Sequence, residues 1–128
     1  MAGLRILVVD DNQVNLFLAE HALEKVGATV TLVKDGRQAL DRLRAAPSAF
    51  DLVLMDIQMP VMDGLTATRA IREQLQLAEL PVIALTAGVL PEERQAALDA
   101  GINDFLPKPL ELDRMTAMIR SYCPVRSR

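Results

Sequence analysis

Short runs of almost uninterrupted apolar residues recur along this chain, each followed by a stretch with helical periodicity. They fall at 5–9, 29–33, 52–55 and 82–85, with a shorter one at 104–106. A strand with one face in water alternates apolar and polar residues. Near-continuous apolar runs instead indicate strands covered on both faces, hence a parallel sheet between helical layers. Strands and helices that alternate through short loops define a doubly wound α/β fold, here (βα)5. Right-handed crossovers restrict the topologies, and the order expected for a five-stranded parallel sheet is 2-1-3-4-5.

Capping residues mark the helices. The first should start near Asn12, capped by Asp11 or Asn12, and end at Gly27. The second opens with Asp35-Gly36-Arg37-Gln38, a capping-box spacing, and stops before Pro47. The third follows Asp63-Gly64, with Leu65, Thr68 and Ile71 on one side. The fourth has Pro91 and two glutamates in its first turn and ends at Gly101. The fifth runs from about residue 110 to 122.

The 128 residues are expected to form one domain, with its core at 4–122 and a tail at 123–128. Aromatic residues are scarce, so Val, Leu, Ile, Ala and Met must fill the core. Met55, Met59 and Met62 read as packing residues. A net charge of −3 offers no basic footprint for nucleic acid. A single cysteine, Cys123, excludes an intramolecular disulfide and fits a reducing compartment. No apolar stretch approaches membrane-span length, so a cytoplasmic domain without membrane contact is expected.

The residues that end the apolar runs carry the chemistry. Asp10 and Asp11 follow the first run, Asp56 the third, Thr86 the fourth and Lys108 the fifth. In the order 2-1-3-4-5, strands one and three are neighbours at the switch point, where ligands bind outside the carboxyl ends of the strands. Three ionised carboxylates about 5 Å apart repel by roughly 3 kcal/mol per pair at an effective dielectric of about 20. One lysine cannot offset three such repulsions. Either a carboxylate takes up a proton or a divalent cation binds. Oxygen ligands without His or Cys favour Mg²⁺, with Mn²⁺ as the alternative, over zinc. Any one of these aspartates alone would be an ordinary cap or turn residue. Together with a hydroxyl and an ammonium, they form a site for a metal ion and a phosphoryl group.

Asp10-Asp11, the segment DIQMPVMDG (56–64), Thr86-Ala87 and FLPKP (105–109) resemble the receiver domain of two-component response regulators. The resemblance covers about residues 4–122. Asn12, Asn15 and the wording of the 56–64 segment are most like receivers of hybrid sensor histidine kinases. The resemblance implies that Asp56 is the phosphoacceptor. It implies that Asp11, Asp56 and the main-chain carbonyl of Gln58 ligate Mg²⁺, with Asp10 acting mainly through water. Lys108 would pair with Asp56 at rest and with a phosphoryl oxygen afterwards. Thr86 would donate its hydroxyl to another, leaving room for the switch aromatic Phe105 to turn inward. Lys108-Pro109 would be a cis peptide. Such a domain catalyses its own phosphorylation and dephosphorylation.

The partners implied are a histidine kinase or a histidine phosphotransfer protein. A downstream protein would be engaged through the face of helix four, strand five and helix five. Leu16, sharing a helical face with Glu20 and Glu24, is expected to be exposed beside the acids, where a phosphotransfer partner would dock. His21 reads as a solvated helix residue. No output domain fits in the chain, so it is expected to be a stand-alone regulator or a piece of a longer protein, such as the cytoplasmic part of a membrane-bound sensor kinase.

Three other readings compete. A haloacid-dehalogenase-like phosphohydrolase also uses a strand-end aspartate nucleophile, but needs a second acid where Gln58 stands. A flavodoxin-like carrier would have a Ser, Thr and Gly-rich loop after strand one, where Asp10-Asp11 would repel a phosphate. A degenerate receiver serving only as a docking module would not need the full acid set and Lys108.

Overall fold

The five apolar runs are the five strands of one parallel sheet. The computed structural model describes residues 3–57, 63–86, 88, 90–108 and 110–123. The elements alternate as β1 (Arg5–Val9), α1 (Gln13–Lys25), β2 (Thr29–Val33), α2 (Gly36–Ala45), β3 (Leu52–Asp56), α3 (Gly64–Glu73), β4 (Val82–Thr86), α4 (Pro91–Ala100), β5 (Asp104–Pro107) and α5 (Leu112–Tyr122). The strand order is β2-β1-β3-β4-β5, with every pair parallel. Strands β3, β4 and β5 each run one residue beyond their apolar stretch. Asp56 and Thr86 are therefore the last residues of buried strands rather than the first of loops.

Successive strand residues point to opposite faces, and the core divides accordingly. Leu7, Val9, Val53, Met55, Val82 and Ala84 pack against Ala39, Leu40 and Leu43 of α2, Ala67 and Ile71 of α3, and Ala97 of α4. Ile6, Val8, Leu52, Leu54, Ile83 and Leu85 pack on the other face against Leu16, Ala19 and Leu23 of α1, and Met115 and Ile119 of α5. Both faces of the central strands β1, β3 and β4 are thus covered, as their lack of apolar–polar alternation requires, while the edge strand β2, with Thr29 and Thr31, is only partly buried.

The caps follow the sequence closely. Asn12 Oδ1 accepts hydrogen bonds from the backbone N–H groups of Val14 and Asn15, starting α1. Asp35 Oδ1 accepts from Gln38 N–H, while Gln38 Oε1 reaches back to Lys34 N–H. Asp63 caps α3 through Thr66 N–H, and Leu90 N–H donates to Glu93 at the start of α4. Helix α5 begins at Leu112, slightly later than its expected start near 110.

At the amino ends of the strands, far from the acids, Arg72 ties three segments together. Its guanidinium donates to the carbonyls of Leu77, Leu80 and Gly101 and to Asn103 Oδ1. Gly101 turns at φ +112°, and a side chain there would collide with Arg72. Among the described residues, no helix is long and apolar enough to cross a membrane.

Candidate functional site

The carboxyl edge of the sheet gathers the strand-end residues. Asp10, at the end of β1, is fully buried, with 0% of its surface exposed. Its Oδ1 accepts from Asn12 N–H at 2.9 Å, so the residue that begins α1 also orients this carboxylate. Its Oδ2 accepts no hydrogen bond from any described residue, although the Lys108 ammonium lies 3.5 Å away. Asp56 is 2% exposed, and its Oδ2 lies 3.1 Å from Lys108 Nζ. Asp11 is exposed beside them. One oxygen from each of Asp10, Asp11 and Asp56 falls within 4.8 Å of the others.

Backbone pairing fixes the remaining members. Lys108 N–H donates to Thr86 O at 2.9 Å, which locks the end of β5 to the end of β4. From there the Lys108 side chain crosses to the acids. Thr86 is buried, and its hydroxyl is bonded to the main chain of Gly88.

Gly64 contributes by lacking a side chain. A Cβ there would run into the main-chain oxygen of Asp56, so only glycine lets the start of α3 lie against this strand end. Thr68 Oγ1 donates to Gly64 O at 2.7 Å and holds that turn from behind. The sequence marked Gly64 as part of a helix start and as the end of the 56–64 segment, and its contact with Asp56 became evident in three dimensions.

The donor set can be tested against a cation. Three carboxylates facing one ammonium leave two negative charges uncompensated. A buried carboxylate oxygen without a hydrogen bond costs further free energy. A hard divalent cation relieves both, and the all-oxygen set suits Mg²⁺. Asp10, Asp11 and Asp56 would hold it.

One sequence expectation needs correction. Leu16 does not face solvent: it is 4% exposed and packs with Ala19 and Leu23 beneath α1. The exposed apolar residues of α1 are Val14, Phe17 and Leu18, with Phe17 stacked on His21 at a centroid distance of 6.0 Å. Seven residues span nearly two helical turns, so Leu16, Ala19 and Leu23 form the inner stripe. Phe105, the switch aromatic that the resemblance implies, is 8% exposed. The Arg94 guanidinium covers its ring, 4.4 Å from the centroid. Gln58, Met59, Met62, Ala87, the expected cis bond at Lys108-Pro109 and the tail 124–128 lie outside the described residues.

This fold, with an acid cluster at its switch point and a lysine over it, defines a phosphoryl-accepting signalling module, and comparison gives it a family. Residues 6–120 match the response regulator receiver domain, and the chain belongs to that family. It is 43% identical over 121 residues to the sensor histidine kinase GacS of Pseudomonas protegens, covering 92% of this chain but only 13% of that protein. The chain thus spans a small part of such curated relatives. The receiver domain of the Pseudomonas aeruginosa sensor histidine kinase PA1611 has magnesium coordinated in its active site cleft. It superposes with a TM-score of 0.84 at 42% identity, covering 97% of this chain and all of that one. The receiver domain of Ssk1 from Saccharomyces cerevisiae, solved in complex with the histidine phosphotransfer protein Ypd1, matches with a TM-score of 0.84 at 27% identity. That match covers 93% of this chain and 88% of the other. The chain is accordingly a receiver of two-component phosphorelay signalling, and the phosphohydrolase alternative finds no support among these relatives.

Proposed function

We propose that Asp56 is the phosphoacceptor. The observation that carries this reading is the placement of its buried carboxylate within reach of two further acids and the Lys108 ammonium. An Asp56 oxygen attacks phosphorus, forming a carboxyl O–P bond. The bond from phosphorus to the donor breaks, either the P–N bond of a phosphohistidine or the P–O bond of an acyl phosphate, and its electron pair leaves with the donor. A carboxylate is a weak nucleophile, so the donor must already be activated. The protein supplies alignment and charge neutralisation, which is most of phosphoryl-transfer catalysis. When bound, Mg²⁺, or Mn²⁺ in its place, supplies neutralisation of the phosphoryl oxygens. Lys108 remains over the acceptor and takes a phosphoryl oxygen in place of the carboxylate, while Thr86 donates its hydroxyl to another.

The donor in this reading is a phosphohistidine on a histidine kinase or helical phosphotransfer partner, in keeping with the Ypd1–Ssk1 pairing. The patch Val14, Phe17 and Leu18 lies on the helix that starts beside Asp11, and it replaces Leu16 as the docking surface. The output is a change in the face formed by α4, β5 and α5, read by a downstream protein. The receiver core at residues 4–122 works as one domain in the cytoplasm, alone or within a sensor kinase. Incubation with acetyl phosphate tests the chemistry. Intact mass should show one phosphoryl adduct with Mg²⁺ present and none in excess chelator. Labelling that ignores the chelator contradicts the cation-dependent part of the reading, and no adduct under either condition contradicts the whole.

A further inference from the structure

The Thr86 hydroxyl is already engaged. Its Oγ1 donates to Gly88 O at 3.1 Å and accepts from Gly88 N–H at 3.0 Å. A hydroxyl has a single proton. The proton given to the Gly88 carbonyl cannot at the same time be given to a phosphoryl oxygen. Gly88 stands at φ +154°, a conformation that L side chains rarely adopt, and a Cβ there would meet nothing within 4 Å. The absence of a side chain at this exposed position therefore serves the backbone conformation and not packing.

We infer that Gly88 is a positioning residue that parks the Thr86 hydroxyl on its own main chain, so that a bound phosphoryl group must take the hydroxyl away from it. This rests on the role of Thr86 proposed above. The two acceptors differ in strength. A charged phosphoryl oxygen is a better acceptor than a neutral carbonyl. The hydroxyl transfers to the phosphoryl group when that group is present and returns to Gly88 when it leaves. Gly88 thereby sets how readily Thr86 responds, without itself touching the phosphoryl group.

The test is a double-mutant cycle read by affinity for beryllofluoride, a phosphoryl mimic, in the presence of Mg²⁺. Gly88→Ala disfavours the parking turn, so it should bind the mimic about 3- to 10-fold tighter than the unaltered protein, the worth of one released hydrogen bond. In a Thr86→Ala background the same substitution should change affinity by less than about twofold. An equal effect in both backgrounds, or none in either, overturns the inference. A Thr86→Ala protein that binds the mimic as tightly as the unaltered one overturns the parent reading of Thr86, which is a different result. A measurement on the unaltered protein guards against misfolding of the glycine variant. The Gly88 amide should exchange with solvent faster once beryllofluoride is added, and unchanged exchange contradicts the parking contact.

Discussion

Lys108 Nζ lies 3.1 Å from Asp56 Oδ2, reaching from the end of β5 across the end of β4 to the end of β3. It also lies 3.5 Å from Asp10 Oδ2, so one cation serves two buried acids. Removing it takes away the positive charge that faces both acids. Lys108→Met should lower metal-free stability by about 2 kcal/mol, less than the roughly 3–5 kcal/mol for breaking a fully buried pair because Lys108 is partly exposed. Added Mg²⁺ should then raise the melting temperature of the variant by more than that of the unaltered protein. Thermal melts with and without Mg²⁺ check both points, and equal Mg²⁺ responses in the two proteins count against the charge argument.

Repulsion among the three acids makes a second prediction. Asp11→Asn should weaken Mg²⁺ binding about tenfold or more, since a hard cation loses a charged ligand. Glu24→Gln, an exposed change of the same type at the far end of α1, should leave binding within about twofold. Isothermal titration separates them, and equal losses would mean that the cluster is not where the metal sits.

The exposed patch on α1 supplies a third. Phe17→Asp places a charge on a 61% exposed residue and leaves the core untouched. Transfer from a phosphotransfer partner should slow by at least about tenfold, the loss expected of an aromatic anchor. Labelling by acetyl phosphate should be unchanged. Leu16→Asp, by contrast, buries an unpaired charge and should unfold the domain. If Phe17→Asp transfers at the normal rate, another surface docks the partner.

Tyr122 gives a pH-dependent prediction. Its hydroxyl oxygen lies 3.0 Å from both Asn103 O and Asp104 Oδ2, which share its single proton. Burial first, and then the bond to Asp104 and its charge, push the phenol above its ordinary range. A group whose pKa is raised on folding contributes stability below its unfolded value, here about 10, and loses it as pH rises through the folded value. Tyr122→Phe should therefore cost about 1 kcal/mol at neutral pH. The gap should shrink above about pH 10. Urea melts of both proteins across that range check the sign, and a gap that widens with pH contradicts it.

The central strands were legible because burial on both faces leaves runs that no half-exposed strand would show. The acids were legible because parallel strands deliver their last residues to one edge. Helix α1 misled because apolar residues lie almost all round it. Leu16 and Phe17 are adjacent in sequence and differ only in the face they take, which packing decides. Phe105 could be recognised, but its cover by Arg94 could not, since the two meet only after α4 folds back beside β5. The Gly88 contact was invisible for another reason: on the Gly88 side it is made by main-chain atoms that every residue carries.

Phosphoryl acceptance rests on Asp56, and one measurement addresses it directly. Borohydride reduces an acyl phosphate to an alcohol, converting a phosphorylated aspartate into homoserine. After labelling with acetyl phosphate and Mg²⁺, the reduced protein is digested and its peptides sequenced by mass spectrometry. Homoserine should appear at position 56 and nowhere else, and the Asp56→Asn protein should give none. Homoserine at position 10 or 11 in the unaltered protein, or a phosphoryl adduct that persists in Asp56→Asn, would contradict the assignment.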